Sequence, residues 1–332
     1  DIGFSNLDCT FDTTGEPPRP DEYLVHATPG QLDILKELGI DIVSQANNHS
    51  LDFGGEGLVR TQRHLEARGI KYVGAGPDLE RARSPVIVEC KGGRVGFLAY
   101  ASTHPWVDAW AATGESAGVA PLDIEFIRED ISALRNSVDG LVVSLHWGKE
   151  YIHYPPPENV KLARQLVDWG VDLVLGHHPH VIQGIEQYGR GLICYSLGNF
   201  LFPDYGEQRL VFREQQRISL LVRCKLSEGT DLIDVVLVRQ EEGGRLVPLA
   251  GAEESILRAE LSRLSKALER PDYGTFWRSQ ARRHELRRLW RVFNEEVIEA
   301  GWKGGSARLL QLGSKNFRSI GRSFSEIFSR EG

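Results

Sequence analysis

Methionine is absent from the 332 residues of this chain, and no apolar run approaches the roughly 20 residues that a membrane-spanning helix needs. The first eight residues are typical of a strand that runs into a loop, which excludes a basic and then apolar signal peptide within the printed sequence. We therefore expect the chain to be soluble as given. Because an initiator methionine is also missing, we expect it to begin inside a longer gene product. An upstream leader or membrane anchor, and so the cellular location, stays open.

Cysteine is scarce as well. The four cysteines are far apart in the sequence and form no Cys-x-x-Cys pair. Cys90, Cys194 and Cys224 fall in predicted strands, where a buried thiol behaves as a small apolar side chain. This density argues against a disulfide framework and leaves the redox compartment open.

The first part of the chain has a net negative charge, and the end of the chain has a net positive charge. From Arg258 onward there are 16 Lys and Arg against 9 Asp and Glu, while the residues before it carry 23 against 37. A basic tail can meet nucleic acid or an anionic membrane, or it can be the solvated face of helices docked on an acidic body. We favour docking because the excess is small. No known nucleic-acid motif accompanies the basic residues, so we expect no nucleic-acid partner.

The order of predicted elements favours an α/β fold. Up to about Asn199 helices and strands alternate, which predicts a largely parallel or mixed sheet covered by helices on both faces. From Gly191 onward strands alone are predicted, over residues 192–195, 216–225 and 233–240, and they suggest an antiparallel closing sheet. Beyond Glu253 the pattern is helical. We divide the chain into one domain over residues 1–250 and a helical, basic C-terminal extension over residues 251–332.

The predicted extension has an apolar stripe that must be buried somewhere. We name it the leucine stripe, and its members recur at helical spacing: Leu257, Leu261, Leu264 and Leu268. We expect it to dock on the acidic body, and we expect the aromatic residues that follow, Phe276, Trp277, Trp290 and Phe293, to be core. The alternative is a tail that recruits a membrane or a partner through the basic cluster Arg282, Arg283, Arg287 and Arg288.

Three predicted strands end in residues that bind metals. One apolar strand runs into Gly-His-His-Pro-His at 176–180, another into Asn47-Asn48-His49, and a third into His146. The carboxyl ends of strands face the crevice in which α/β sheets hold ligands, and neutral imidazole is the commonest protein ligand for divalent transition metals. A single histidine after a strand is more often a hydrogen-bonded loop residue. Three such strand ends together favour a metal site.

These blocks come in an order that resembles the calcineurin-like metallophosphoesterase superfamily. They look more closely like the bacterial capsule synthesis, or poly-γ-glutamate biosynthesis, protein family of the CapA type. The resemblance covers about Asp1 to Phe202 and is carried by five blocks: Asn6-Leu7-Asp8, residues 46–54, residues 146–151, residues 176–180 with Gln183, and residues 195–200. It implies a metallophosphoesterase-like four-layer αββα sandwich, here with its N-terminal strand missing and with a C-terminal helical extension.

The resemblance also implies two divalent metal ions, and mixed imidazole, amide and carboxylate ligands suit Mn, Fe or Zn. Asp8 would bridge the two ions. Asn48, His146 and His178 would hold one of them, and His180 the other. His49 would be the acid that protonates the leaving oxygen or stabilises charge on the phosphoryl group, and Asp52 would orient its imidazole.

Some assignments stay open. Gly-His-His-Pro-His has one residue more than the family's Gly-His-x-His, so His177 is an alternative to His178, which we prefer because it keeps the His-x-His spacing. Further candidate ligands or pocket residues are Asn6, Glu150, Tyr151 and Asn199, and a structural role in a strand-end turn is equally expected for Asn199.

The sequence departs from the family pattern in two ways. Family members begin with a strand that ends in Gly-Asp, whose carboxylate binds the first metal, and nothing precedes Asp1 here. We therefore expect a fragment whose first metal site is incomplete and which binds one ion at most. In addition, Asn-Leu-Asp replaces the family's Asn-Leu-Glu, so the bridging carboxylate is shorter by one methylene.

The leading hypothesis is a metal-dependent, phosphoesterase-like hydrolase associated with the biosynthesis or export of capsule or poly-γ-glutamate polymer. Its expected partners are an anionic polymer or phosphoester substrate and a membrane synthesis complex. The alternative is a non-catalytic metal-binding component of such a complex. Sequence alone names neither the natural substrate nor the native metal.

Overall fold

The computed structural model of the chain describes residues 1–11, 13–14, 17, 24–103, 109–202, 214–227 and 229–293. The chain divides into two compact units, Asp1–Tyr273 and Gly274–Gly332. All described strands and the first six helices belong to the first unit, and the seventh helix belongs to the second unit apart from its first residue. None of the helices within the described ranges is both long enough and apolar enough to cross a membrane. The domain boundary at residue 250 stays a prediction.

The described strands are β1 Phe4–Asn6, β2 Ile42–Ser44, β3 Lys71–Val73, β4 Ala75–Gly76, β5 Val86–Cys90, β6 Gly93–Ala101, β7 Gly118–Val119, β8 Gly140–His146, β9 Leu173–His177, β10 Ile185–Tyr188, β11 Gly191–Cys194, β12 Ile218–Ser227, β13 Gly229–Gln240 and β14 Leu246–Pro248. The described helices are α1 Asp33–Glu37, α2 Gly54–Glu66, α3 Leu79–Arg83, α4 Ile124–Leu134, α5 Pro157–Asp168, α6 Gly251–Ala267 and α7 Tyr273–Phe293. Residues with a known preference for helix N-termini stand at the beginning of two of these helices. Asp123 caps α4 by accepting hydrogen bonds from two backbone amides, and Pro157 occupies the first position of α5, where a missing N–H costs nothing.

Two sheets build the body of the first unit. The larger has the strand order β10-β11-β9-β8-β6-β5, and its four central strands are parallel. The smaller has the order β1-β2-β3 and is parallel throughout. An antiparallel sheet, β12-β13-β14, and a two-stranded ribbon of β4 and β7 complete the described strands.

Alternation along the strands places the core between the two main sheets. Ile42 and Val73 of the small sheet share one buried cluster with Phe97, Val142 and Leu175 of the large sheet. The neighbouring Val43 points the other way and packs in a second cluster with Leu65 of α2. On the far face of the large sheet, Gly96 lies against Leu134 of α4, and Gly191 lies against Val167 of α5. The predicted four-layer αββα arrangement is therefore confirmed.

The closing sheet has three strands, as the sequence predicted, but β14 stands in place of one of the predicted members. β12 and β13 pair antiparallel as expected, but β11, predicted in the same antiparallel group, pairs parallel with β9 inside the large sheet. Its residues Leu192, Ile193 and Cys194 are buried, as is usual for a strand covered on both faces. β10, which the sequence did not predict, is only four residues long and does not alternate apolar and polar residues, because Glu186 and Gln187 are adjacent. Cys90 is exposed rather than buried, because it lies at the end of β5 beside the hairpin turn.

The helix α6 packs against the rest of the first unit through the leucine stripe, whose last member, Leu268, directly follows the helix. Leu264 and Leu268 are buried, and Leu257 and Leu261 are partly buried. The hydroxyl of Ser265 accepts a hydrogen bond from the backbone N–H of Ile185 in β10 at 2.9 Å, and Arg258 donates to the backbone oxygen of Val235 in β13 at 2.9 Å. Docking of the stripe agrees with the sequence prediction. The basic cluster lies on α7 in the second unit, and its role stays a prediction.

Replacing Leu264 by alanine should lower the free energy of unfolding by about 2–5 kcal/mol, because it leaves a cavity beneath α6. Ile256 of the same helix is 68% exposed, so Ile256→Ala is the matched control and should change the unfolding free energy by less than about 0.5 kcal/mol. Denaturant unfolding of the full chain measures both. Equal effects of the two substitutions would contradict the docking of α6.

Candidate metal centre

The candidate metal centre lies where strands of the two main sheets end. Asp8 follows β1, and the neighbouring parallel strand β2 leads to Asn48 and His49. In the large sheet, His146 ends β8 and pairs in register with His177, which ends β9. Because adjacent parallel strands end at the same edge of a sheet, each pair of strands delivers its polar residues to one place.

The turn after β2 is fixed to β1 by Asn47. Its amide nitrogen donates to the backbone oxygen of Leu7 at 2.8 Å and to the side-chain oxygen of Asn6 at 3.3 Å. Its amide oxygen accepts from the backbone N–H of His49 and from the hydroxyl of Ser50. Asn6, a candidate ligand from the sequence, thus has its side-chain oxygen engaged with Asn47. Asn47 therefore sets the position of the residues on either side of it.

Asn48 and His146 meet across the two sheets. The Oδ1 atom of Asn48 lies 2.8 Å from Nε2 of His146, and Nδ1 of His146 is buried without a hydrogen bond in the described structure. Burial, together with the neighbouring histidines, lowers the pKa of His146 well below its usual value. The ring is therefore neutral at pH 7, which is the form that binds a metal.

The two candidate histidines after β9 have different surroundings. The ring of His178 lies 4.9 Å from that of His146 and 5.7 Å from that of His180, measured between ring centroids. The ring of His177 instead lies 6.5 Å from Phe4 of β1, and burial lowers the pKa of His177 to about 4. The Nε2 atom of His177 is buried and has no hydrogen bond among the described residues. The structure thus brings the ring of His178 together with the rings of His146 and His180, while the ring of His177 lies beside Phe4.

Asp8 has the surroundings of a carboxylate that a cation would stabilise. Its Oδ1 atom is buried and has no hydrogen bond within the described parts of the chain. Burial raises the pKa of Asp8 above its ordinary value, while His49 and His180 act in the opposite direction. An orphaned buried carboxylate oxygen is costly unless it binds a proton or a cation.

His49 and Asp52 form a hydrogen-bonded pair. The distance between Nδ1 of His49 and Oδ2 of Asp52 is 2.9 Å, and the same oxygen accepts from the backbone N–H of Val25 at 2.6 Å. Burial lowers the pKa of His49, but the hydrogen bond to Asp52 and the negative charges nearby outweigh burial and raise the pKa above its usual value. The imidazole is consequently held in one orientation and favours its protonated form.

The remaining candidates line the same region. Glu150 belongs with His178 and His180 to a group whose potential ligand atoms all lie within 4.8 Å of one another. Tyr151 is 38% exposed, and its ring lies 6.0 Å from that of His180. The Oδ1 atom of Asn199 lies 2.8 Å from Nδ1 of His180, while its amide nitrogen donates to the backbone oxygen of Gln216. Asn199 therefore joins the site to the segment before β12.

Sequence reasoning missed two supporting residues. Asn47 lies in the block of residues 46–54, but the sequence alone assigns it no role. A side-chain amide placed between two strand ends is well suited to join those ends by hydrogen bonds. Thr10 is fully buried, and its hydroxyl donates to the backbone oxygen of His49 at 2.9 Å. No local pattern pointed to Thr10, because its partner lies 39 residues away in the sequence.

The donors present fit a divalent transition metal. Neutral imidazole, an amide oxygen and a buried carboxylate form a mixed nitrogen and oxygen set of the kind that Zn, Mn and Fe accept. The orphaned atoms of Asp8 and His146 support the same conclusion, since buried polar groups normally have a partner.

The chain is similar to known bacterial capsule synthesis proteins. The sequence profile of the family described as Bacterial capsule synthesis protein PGA_cap matches residues 1–204. Capsule biosynthesis protein CapA of Bacillus anthracis is 36% identical over 214 residues, which are 63% of this chain and 50% of that protein. The chain therefore spans about half the length of this relative. A Mycobacterium tuberculosis protein named "Probable polyglutamine synthesis accessory protein" is 30% identical over 293 residues, covering 82% of this chain and 76% of that protein.

Among solved structures, a phosphatase from Mycoplasma pneumoniae aligns with a TM-score of 0.41 and 11% sequence identity. The alignment covers 75% of this chain and 82% of the phosphatase.

Proposed function

Because the chain belongs to the bacterial capsule synthesis protein family, we propose that it is a metal-dependent hydrolase of the phosphoester type. We further propose that it acts in the biosynthesis or export of capsule or poly-γ-glutamate polymer, with an anionic polymer or phosphoester as substrate and a membrane synthesis complex as partner. The names of the Bacillus and Mycobacterium relatives support this biological context.

The observation that carries the proposal is the pairing of Asn48 with His146, 2.8 Å apart, beside the ring of His178. In our proposal divalent metal, Mn, Fe or Zn, is held by Asp8, Asn48, His146, His178 and His180, with two ions in the complete protein. The chemistry that such ions supply is Lewis-acid stabilisation of negative charge on a phosphoryl oxygen. The neutral imidazole of His146 and the otherwise orphaned oxygen of Asp8 support these assignments.

His49 is the proposed general acid. Its Nδ1 atom is bound to Asp52, so Nε2 is the nitrogen that would give a proton to the leaving oxygen of the substrate. The raised pKa of His49 favours the protonated ring that this role requires. Asp52 is the positioning residue, since a carboxylate on Nδ1 fixes both the orientation and the tautomer of the imidazole.

A second candidate is a non-catalytic metal-binding component of a polymer synthesis or export complex. The word "accessory" in the name of the Mycobacterium relative favours it. Both candidates require the metal, so they differ only in whether bound metal is accompanied by hydrolysis.

The test combines elemental analysis with an activity assay on the full chain. We expect bound divalent metal after purification, and hydrolysis of a generic aryl phosphoester when Mn is added. Metal without hydrolysis would favour the non-catalytic candidate. The absence of metal even after exposure to excess Mn and Zn would contradict both.

A further inference from the structure

The turns after β8 and β9 bring three ligand-type side chains together. Glu150, His178 and His180 each offer one atom, and these atoms lie within 4.8 Å of one another. His178 is buried, His180 is partly buried and Glu150 is exposed, so the group extends from the interior to the surface. Metal–ligand bonds of about 2.0–2.2 Å place the ligand atoms of one ion at most about 4.4 Å apart, so shifts of a few tenths of an ångström bring two of these atoms to a common ion.

The backbone holds the two turns against each other. The backbone N–H of Tyr151, next to Glu150, donates to the backbone oxygen of Pro179 at 2.8 Å, and Pro179 lies between the two histidines. Outside glycine, the described residues with positive φ are Tyr151 at 62°, His178 at 93° and His180 at 57°. Such φ values are uncommon for side chains of this size and concentrate at functional sites. All three lie in these two turns.

The ring of His180 is oriented in a way that suits a ligand. Its Nδ1 atom lies 2.8 Å from the amide oxygen of Asn199. A neutral imidazole that donates its Nδ1 proton to such an oxygen carries its lone pair on Nε2, and this arrangement is how proteins commonly prepare a histidine for a metal.

From these contacts we infer that Glu150 is a metal ligand, and that with His180 it forms an outer cation position beside the inner ligand His178. The inference rests on the metal centre of the proposed function and assigns a specific role to a carboxylate that the sequence gave only as a candidate ligand or pocket residue. His178 lies between this outer position and the inner pair Asn48 and His146. One imidazole and one carboxylate leave further coordination positions open for substrate oxygens. Since Glu150 is exposed, an anionic group on a large polymer can reach the outer position from solvent.

Metal titration of the full chain tests the inference without an activity assay. The chain is stripped with a chelator and titrated with Mn²⁺ by calorimetry and with Co²⁺ by visible absorption. Glu150→Gln keeps the size of the side chain and removes the charge, and Glu158→Gln is the matched control because Glu158 is also exposed and lies in α5, outside the group. We expect Glu150→Gln to weaken the outer ion by at least about tenfold and to change the Co²⁺ spectrum, as loss of a supporting group alone costs about 10- to 100-fold. Glu158→Gln should match the wild-type chain.

The double variant Glu150→Gln/His180→Ala provides a second measurement. If both residues bind the same ion, their effects on its affinity should not add, since the first substitution has already removed most of the binding. Wild-type Mn²⁺ affinity and Co²⁺ spectrum in Glu150→Gln would overturn the inference, even with an active hydrolase. Weakened binding in a chain that hydrolyses no phosphoester would support the inference and contradict the hydrolase. A wild-type chain that binds neither ion would overturn both.

Discussion

Replacing His49 by alanine should lower the turnover of an aryl phosphoester by about 100- to 10,000-fold and leave the metal content unchanged, because general acid catalysis typically contributes this much. His49 is bound through Nδ1 to Asp52, and nearby negative charges favour its protonated form. Removing its ring should therefore affect the proton transfer far more than the binding of the ions.

Steady-state kinetics with Mn, together with elemental analysis, measure both quantities. His64→Ala is the matched control, since His64 lies on α2 outside the candidate metal centre and its substitution should leave turnover unchanged. If the turnover of His49→Ala lies within about a factor of two of the wild-type chain, the role of general acid is excluded, because acid catalysis contributes far more than that. Loss of metal along with turnover would instead indicate that His49 helps to hold the ions.

His178→Ala should weaken metal binding by at least about 10- to 100-fold, whereas substitution of the adjacent His177 should not. The ring of His178 lies beside those of His146 and His180, while the ring of His177 lies beside Phe4. Comparing the two variants therefore tests whether His177 or His178 is the metal ligand, a choice that the sequence left open.

His177→Leu is the better partner variant, since leucine fills a similar volume and removes a buried nitrogen that has no hydrogen bond in the described structure. Because an unsatisfied buried polar group costs about 1–3 kcal/mol, this variant should be at least as stable as the wild-type chain. Calorimetric titration and thermal unfolding measure the two effects. Loss of metal in His177→Leu with retention in His178→Ala would reverse the assignment.

The sequence alone predicted much of the fold because its signals are local. Helix and strand alternation up to β9 depends on short-range apolar patterns and gave the α/β class. The pairing of β11 could not be predicted in this way. A short buried run such as Leu192 to Cys194 fits either a parallel or an antiparallel partner, and only packing against β9 decides between them.

The same distinction between local sequence signals and tertiary packing applies to the candidate metal centre. The sequence determined which residue types stand at the ends of β1, β2, β8 and β9, because a strand end and a polar block are adjacent in the chain. The tertiary structure decided which of them meet. His178 has a positive φ and a ring beside that of His146, and the hydrogen bond from Tyr151 to Pro179 joins the turn of Glu150 to the turn of His178 and His180. Backbone angles and contacts between residues distant in the chain leave no periodic trace in a sequence, so these features appear only once the two sheets are packed together.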